Sequence, residues 1–324
     1  MENELNLVAL AQHFSDEDKA REFLEKLRWP DGPVCPHCGE INNAYRLEPK
    51  TESKRPGRKG LWKCAGCREQ FTVTVGTIFE DSHIPLSKWL LAYHLLCASK
   101  KGMSAHQLHR MLKVTYRSAW FMAHRIRYTM TQEPLSSKLQ GVIEVDETYV
   151  GGKLRVGTYK PHDNYRRKRL SPTANKAAVV SVLQRGGRVQ SRHVEQVTAD
   201  NLKEMVNSMI DENAHVMTDS STVLEKAFLG RRTHSQVNHR DKEYVRYEDG
   251  LCITTNAIEG YFATLKRGIN GVYHHVGKQH LHRYLSEFDF RYNSRKEKDG
   301  DRTLLALNGV EGKRLMLRDS KSVN

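Results

Sequence analysis

Apolar spacing changes character along this chain. In FSDEDKAREFLEKLRWP the positions Phe14, Ala20, Phe23, Leu24 and Leu27 fall near one helical face. That pattern predicts a short helical lead-in with Ser15 as its cap, stopped by Pro30 and the DGP after it. PLSKWLLAYHLLCASKKG predicts a helix capped by Ser87 that buries Trp89, Leu90, Tyr93 and Leu96. MSAHQLHRMLKVTYRSAWFMAHRIRYTM then predicts two shorter helices, about 105–112 and 117–130, split by KVTY.

From about Gly141 the period shortens towards that of strands. GVIEVDETYVG is β-rich, and KAAVVSVLQRGGRVQSRHVEQVT predicts a hairpin turning at Gly186 and Gly187. ADNLKEMVNSMI reads as a helix capped by Asp200, AHVMTD as a short buried strand, and QVNHR and YVR as further strands. Two helices follow, one in TTNAIEGYFATLKRGI and one in KQHLHRYLSEFDFRYNSR. This order describes an α/β domain around a central mixed sheet.

Charge adds a partner to that picture. The 324 residues carry 52 Lys and Arg against 38 Asp and Glu, a net charge of +14. Such an excess favours a polyanion, because phosphates neutralised by Lys and Arg release their counterions. EPKTESKRPGRKG and KPHDNYRRKRLSPTANK should be solvated basic loops. MENELNLVAL lacks the basic start and apolar run of a signal peptide, and no stretch approaches the length of a membrane span.

Four of the six cysteines form two C-x-x-C knuckles, Cys35 and Cys38 in CPHCG and Cys64 and Cys67 in CAGC. Each tight turn aims two sulfurs at one ion, and two knuckles complete the tetrahedral cage that Zn2+ accepts. Four thiolates leave no open coordination position, so this zinc folds its module rather than catalysing. His37 could compete as a ligand, but four sulfurs suffice. Cys97 and Cys252 read as ordinary buried thiols, and the arrangement suits a reducing cytoplasm.

The split helices have the plan of a helix-turn-helix, with Ser104 capping the first. The second carries Arg117, His124, Arg125 and Arg127 around a stripe of Ala119, Trp120, Ala123 and Ile126. Tyr116 and Arg117, at its start, are the candidate base readers, Arg125 is a further DNA contact, and Trp120 is expected in the core.

Three acids are candidates for a metal site of phosphoryl transfer, which needs carboxylates from different elements at one point. Asp146 sits in the apolar strand VIEVDETYV, where alternation puts Glu144 on its face and Glu147 on the other. Asp219 ends AHVMTD; its alternative role is to cap a helix near Ser220. Glu259 shares a helical face with Lys266, seven residues on, yet Asn256 followed by Glu259 also fits a capping box. Taken alone, the capping reading of Glu259 is the stronger.

The order VIEVDETYVGGK, VMTDSS, then TTNAIEGYFATLKRGINGVYHHVGKQHLHRYLSEFDFRYNSR closely resembles transposases of the DDE superfamily. It looks most like the insertion-sequence-1595 family, which also carries an N-terminal zinc ribbon with a CPHCG knuckle. The resemblance implies a ribonuclease H-like catalytic domain with Asp146, Asp219 and a third ligand in the Asn256/Glu259 region. Of that pair Glu259 is preferred for its charge and its spacing to Lys266, with Asn256 as competitor. Lys266 and Arg267 are then DNA contacts, and the catalytic cofactor is Mg2+ or Mn2+.

The implied organisation is a lead-in over 1–30, a zinc ribbon over 31–78, a helix-turn-helix-like region over 79–135, the catalytic domain over 136–298 and a tail over 299–324. The implied activity is cleavage at an element's terminal inverted repeats and joining of the 3′-OH to target double-stranded DNA. A synaptic complex of at least a homodimer, in a prokaryotic cytoplasm, goes with it. The rival class is a non-enzymatic DNA-binding regulator that keeps only the zinc ribbon and helices.

Overall fold

The computed structural model describes residues 12, 14, 16–48, 59–131, 138–152, 175–231 and 233–317. Both predicted basic loops fall largely outside them. The chain divides into two units, Met1–Thr131 with Lys296–Asn324, and Gln132–Arg295. Among the described residues no helix is long and apolar enough to cross a membrane.

The first unit opens with helix α1 (Glu17–Arg28), which buries Ala20 and Leu24. Its cap is Asp16, whose carboxylate accepts the Asp18 amide at 3.0 Å; Ser15, the expected cap, lies outside the described residues. Strands β1 (Ala44–Leu47), β2 (Leu61–Cys64) and β3 (Gln70–Phe71) form an antiparallel sheet. Trp29 closes it by packing edge-on against Trp62 and Phe71.

Helix α2 (Leu86–Ala98) buries the four expected residues, Trp89, Leu90, Tyr93 and Leu96. Its N-terminus is not capped by Ser87, which lies inside the helix. Instead the Glu17 carboxylate accepts the amides of Leu86 and Ser87 at 2.7 and 3.1 Å, so α1 supplies the acceptor that Pro85 cannot. Helix α3 (Ala105–Leu112) is capped by Ser104, as expected, and α4 (Tyr116–Thr129) by Thr115. Lys113 makes the turn between them with φ of 50°.

Residues 299–324 were expected as a tail. Asp299–Asn308 is instead a helix packed on α2, where Arg302 donates to the Cys97 carbonyl at 3.0 Å and Thr303 pairs with His94 at 3.2 Å. The stretch is short and mixed in character, and only a partner helix makes its apolar side worth burying.

The second unit has a five-stranded mixed sheet. Strands β4 (Val142–Val150), β5 (Ala177–Gln184) and β6 (Val189–Val194) form an antiparallel meander, the last two joined at Gly186, where φ is 74°. After helix α5 (Ala199–Met209), β7 (His215–Asp219) pairs parallel to β4. Helix α6 (Thr222–Ala227) then leads to β8 (His234–Val237), parallel to β7. The strand order is β6-β5-β4-β7-β8, the ribonuclease H-like arrangement. Helix α5 is capped by Thr198 rather than Asp200, which sits in the first turn.

A two-stranded ribbon, β9 (Arg246–Glu248) and β10 (Leu251–Ile253), precedes helices α7 (Asn256–Gly268) and α8 (Lys278–Asn293). Both sheet faces are covered, which explains the near-continuous apolar run of β5. Ile143, Val145, Val180 and Val182 pack with α5 and α6. Val179, Leu183 and Val189 pack with Ile258, Phe262 and Leu265 of α7 and Leu281, Leu285 and Phe288 of α8.

Candidate active site and metal centre

Asp146 and Asp219 come together because of strand register. Strands β4 and β7 pair from Val142↔His215 to Val145↔Thr218, so the next residues, Asp146 and Asp219, sit side by side where β7 ends. Polar residues just past buried parallel strands are where α/β sheets place their sites. Oxygens of Asp146, Glu147 and Asp219 all lie within 4.8 Å of one another.

Glu147 is a correction. Alternation put it on the opposite face, but β4 runs on past the end of β7 and leaves an open side there. Asp146 Oδ1 accepts the Glu147 amide at 2.7 Å, while Ser221 donates to the Glu147 carboxylate at 3.3 Å. The long side chain thus reaches the cluster from the neighbouring position. Asp219 also accepts the Ser221 amide at 3.0 Å, so the turn role and a place in the cluster coexist.

Burial first, and then the charges of Asp219, Glu147 and Glu259, push Asp146 up to about 8. Burial and Asp219 likewise raise Glu147. Among the described residues neither Asp146 nor Asp219 has an ion-pair partner. Crowded half-buried acids with no counter-charge are the donor set that a divalent cation neutralises.

Glu259 stands in the first turn of α7, on the Asp146 side of the sheet, and is exposed. Its Oε1 accepts from His239 Nε2 at 3.0 Å and from Thr255 Oγ1 at 3.4 Å. The capping-box reading fails: Thr255, not Asn256, is the cap residue, and its own side chain makes no capping hydrogen bond. Asn256 is the first helical residue and exposed. Lys266 and Arg267 are exposed in the last turn of α7. At 1.5 Å per residue Lys266 lies roughly 10 Å along the axis from Glu259, too far to neutralise it directly.

Glu144, which alternation puts on the face of Asp146, is structural. It is buried on the α7 face, takes Arg185 Nε and Nη2 on Oε1 at 3.1 and 3.0 Å, and accepts the Ile258 amide on Oε2 at 2.9 Å. Arg185 in turn donates to the carbonyls of Cys252 and Thr254 at 2.8 and 3.1 Å. A buried Glu two residues before Asp146 was the only available signal for this clasp.

In the N-terminal unit the four expected sulfurs cluster. Cys35 and Cys67 are 3.7 Å apart and Cys38 and Cys64 3.6 Å. A tetrahedron of about 2.3 Å Zn–S bonds needs edges of about 3.8 Å, so the cage fits zinc. Gly39 and Arg68, each directly after a knuckle, have φ of 79° and 68° and turn the chain back. Burial opposes ionising Cys35, but amides of Cys38 and His37 outweigh it and hold the thiol at about 7. His37 is exposed and outside the cluster; Cys97 is buried as expected, whereas Cys252 is only half-buried.

The DNA-contact candidates divide. Tyr116 and Arg117 are exposed at the start of α4, Tyr116 stacked on His106 with ring centroids 4.3 Å apart. Arg125 is buried, donating to the carbonyls of Leu315, Ile78 and Glu80 at 3.0, 2.9 and 3.2 Å. Its assignment as a DNA contact is therefore withdrawn. His124 and Arg127 are buried too, while Trp120 is only half-buried. Periodicity could not foresee this, because the helix is enclosed on more than one side.

Comparison with known proteins agrees with this geometry. Residues 138–293 match the ISXO2-like transposase domain and residues 15–70 the transposase zinc-ribbon domain. A protein of Halobacterium salinarum, named as an uncharacterized protein in transposable element ISH50, is 25% identical over 290 residues. That alignment covers 86% of this chain and 91% of the relative.

Proposed function

The chain belongs to the insertion-sequence-1595 family of transposases, and from that premise we propose that it cuts the ends of its element and joins them to target DNA. The observation that carries this is the convergence of Asp146, Glu147 and Asp219 within 4.8 Å, with Glu259 close enough to raise Asp146. Asp146, Asp219 and Glu259 hold two divalent ions, Mg2+ or Mn2+, and Glu147 offers a further oxygen. When bound, such ions activate the attacking oxygen and stabilise the leaving one.

The nucleophiles are water, which releases a 3′-OH at the element end, and then that 3′-OH, which attacks a target phosphodiester. Neither step needs a covalent protein–DNA bond. Lys266 neutralises a phosphate beside the cut, and Arg267 contacts the backbone. Tyr116 and Arg117 of α4 read the terminal inverted repeats, and the zinc ribbon adds grip. Holding two ends at once requires at least two copies of the chain. The sequence-based boundaries, 31–78, 79–135 and 136–298, describe these working parts.

The test is to incubate purified protein with a DNA fragment carrying the element's own ends, with and without Mg2+. Ion-dependent nicks at the ends and joined products are expected. Binding without cleavage would point to a regulator, and cleavage without joining to a nuclease.

A further inference from the structure

His239 follows β8 and reaches over the first turn of α7. Its Nε2 lies 3.0 Å from Glu259 Oε1 and 3.2 Å from Thr255 Oγ1. Its Nδ1 is buried without a hydrogen-bond partner, and the Tyr244 ring flanks it at 5.5 Å. A buried N–H with no acceptor is more costly than a bare ring nitrogen, so the proton belongs on Nε2. His239 therefore donates to Glu259, and the Thr255 hydroxyl, 3.4 Å from the same oxygen, is the second donor. Both bonds fall on Oε1, which leaves Oε2 for an ion.

We propose that His239 is a positioning residue for Glu259: it pins one carboxylate oxygen so that the other is aimed at the Asp146–Asp219 cluster. The proposal rests on Glu259 being the third ligand. Glu259 needs such a support because its side chain is 46% exposed on α7, whereas Asp146 and Asp219 are held by sheet register. A solvated glutamate samples several rotamers, and two donors on one of its oxygens select one of them. The two donors come from different elements, the segment after β8 and the residue before α7. The carboxylate's place is thus tied to the fold on both sides.

The test reads metal binding directly, so it stands apart from DNA cleavage. Mn2+ is titrated into the full chain and bound ion is followed by electron paramagnetic resonance. His239→Ala should weaken Mn2+ by about 10-fold, the usual scale for removing a partner that orients a ligand. His239→Gln, whose amide can donate from nearly the same place, should stay within about 3-fold of the parent. Glu259→Gln should weaken Mn2+ at least as much, and His239→Ala added to it should cost little more. Unchanged binding in His239→Ala, or full additivity with Glu259→Gln, would overturn the proposal. Should His239→Ala fail to fold, the comparison of His239→Gln with Thr255→Val decides. Loss of Mn2+ in His239→Gln, or none in Thr255→Val, counts against the proposal. If Glu259→Gln binds Mn2+ like the parent, the assignment of Glu259 as ligand fails instead.

Discussion

Glu144 Oε2 accepts the backbone N–H of Ile258 at 2.9 Å, tying the strand that carries Asp146 to the helix that carries Glu259. The two residues are 114 positions apart. The other carboxylate oxygen holds Arg185, which itself grips the carbonyls of Cys252 and Thr254. One buried acid thus caps α7 and fixes its start against the sheet.

Removing that acid should be felt first in stability. Glu144→Ala orphans the Ile258 amide and strips Arg185 of its counter-charge, at a cost of about 3 kcal/mol. Denaturant unfolding measures it. A loss below about 1 kcal/mol would show that water replaces the clasp.

The acidic residues can be told apart from the helix start. Asp146→Asn, Asp219→Asn and Glu259→Gln should each abolish cleavage and leave end-DNA binding nearly intact, since affinity comes mostly from Lys and Arg contacts to phosphate. Asn256 is helical and exposed, so Asn256→Ala should change stability by less than about 0.5 kcal/mol. If it nevertheless stops cleavage while Glu259→Gln stays active, Asn256 is the ligand.

The raised Asp146 has a pH signature when no divalent ion is added. Folded, the group keeps its proton up to about 8; unfolded, it ionises near 4. Its stabilising contribution is therefore full below about pH 4 and is lost as pH rises towards 8. Relative to the parent, Asp146→Asn should gain stability from pH 5 to 8.5. Equal pH profiles for the two proteins would show that the acids are less crowded than their geometry indicates.

Zinc should be stoichiometric, one per chain by metal analysis. Cys64→Ser should open the N-terminal unit to proteolysis while the sheet of the second unit keeps its own melting transition, because four-thiolate zinc is folding energy for a small module. Protein purified without chelator and found free of zinc would refute this.

Two arginines on one helix should behave differently. Arg117→Ala should weaken binding to end DNA more than to random DNA, as base contacts do. Arg125→Ala should cost about 3 kcal/mol of stability instead, because three buried carbonyls lose their donor. Equal loss on both DNAs for Arg117→Ala, measured by competition binding, would make it a phosphate contact.

Periodicity and spacing determined much of this protein. The two cysteine knuckles, the β5–β6 hairpin at Gly186, the strand ending at Asp219 and the helix bearing Glu259 each depend on neighbours within a few residues, so local patterns reveal them. Tertiary structure alone decided where long side chains and orphan backbone groups end. Glu17 rather than Ser87 caps α2, and Glu144 rather than Asn256 serves the first turn of α7. Arg125 turns inward to three carbonyls, and Glu147 enters the acidic cluster because β7 stops at Asp219 and leaves space beside it. An unpaired amide, carbonyl or charge is satisfied by whichever group the fold brings near, however distant in the chain. A one-dimensional pattern carries no record of that distance.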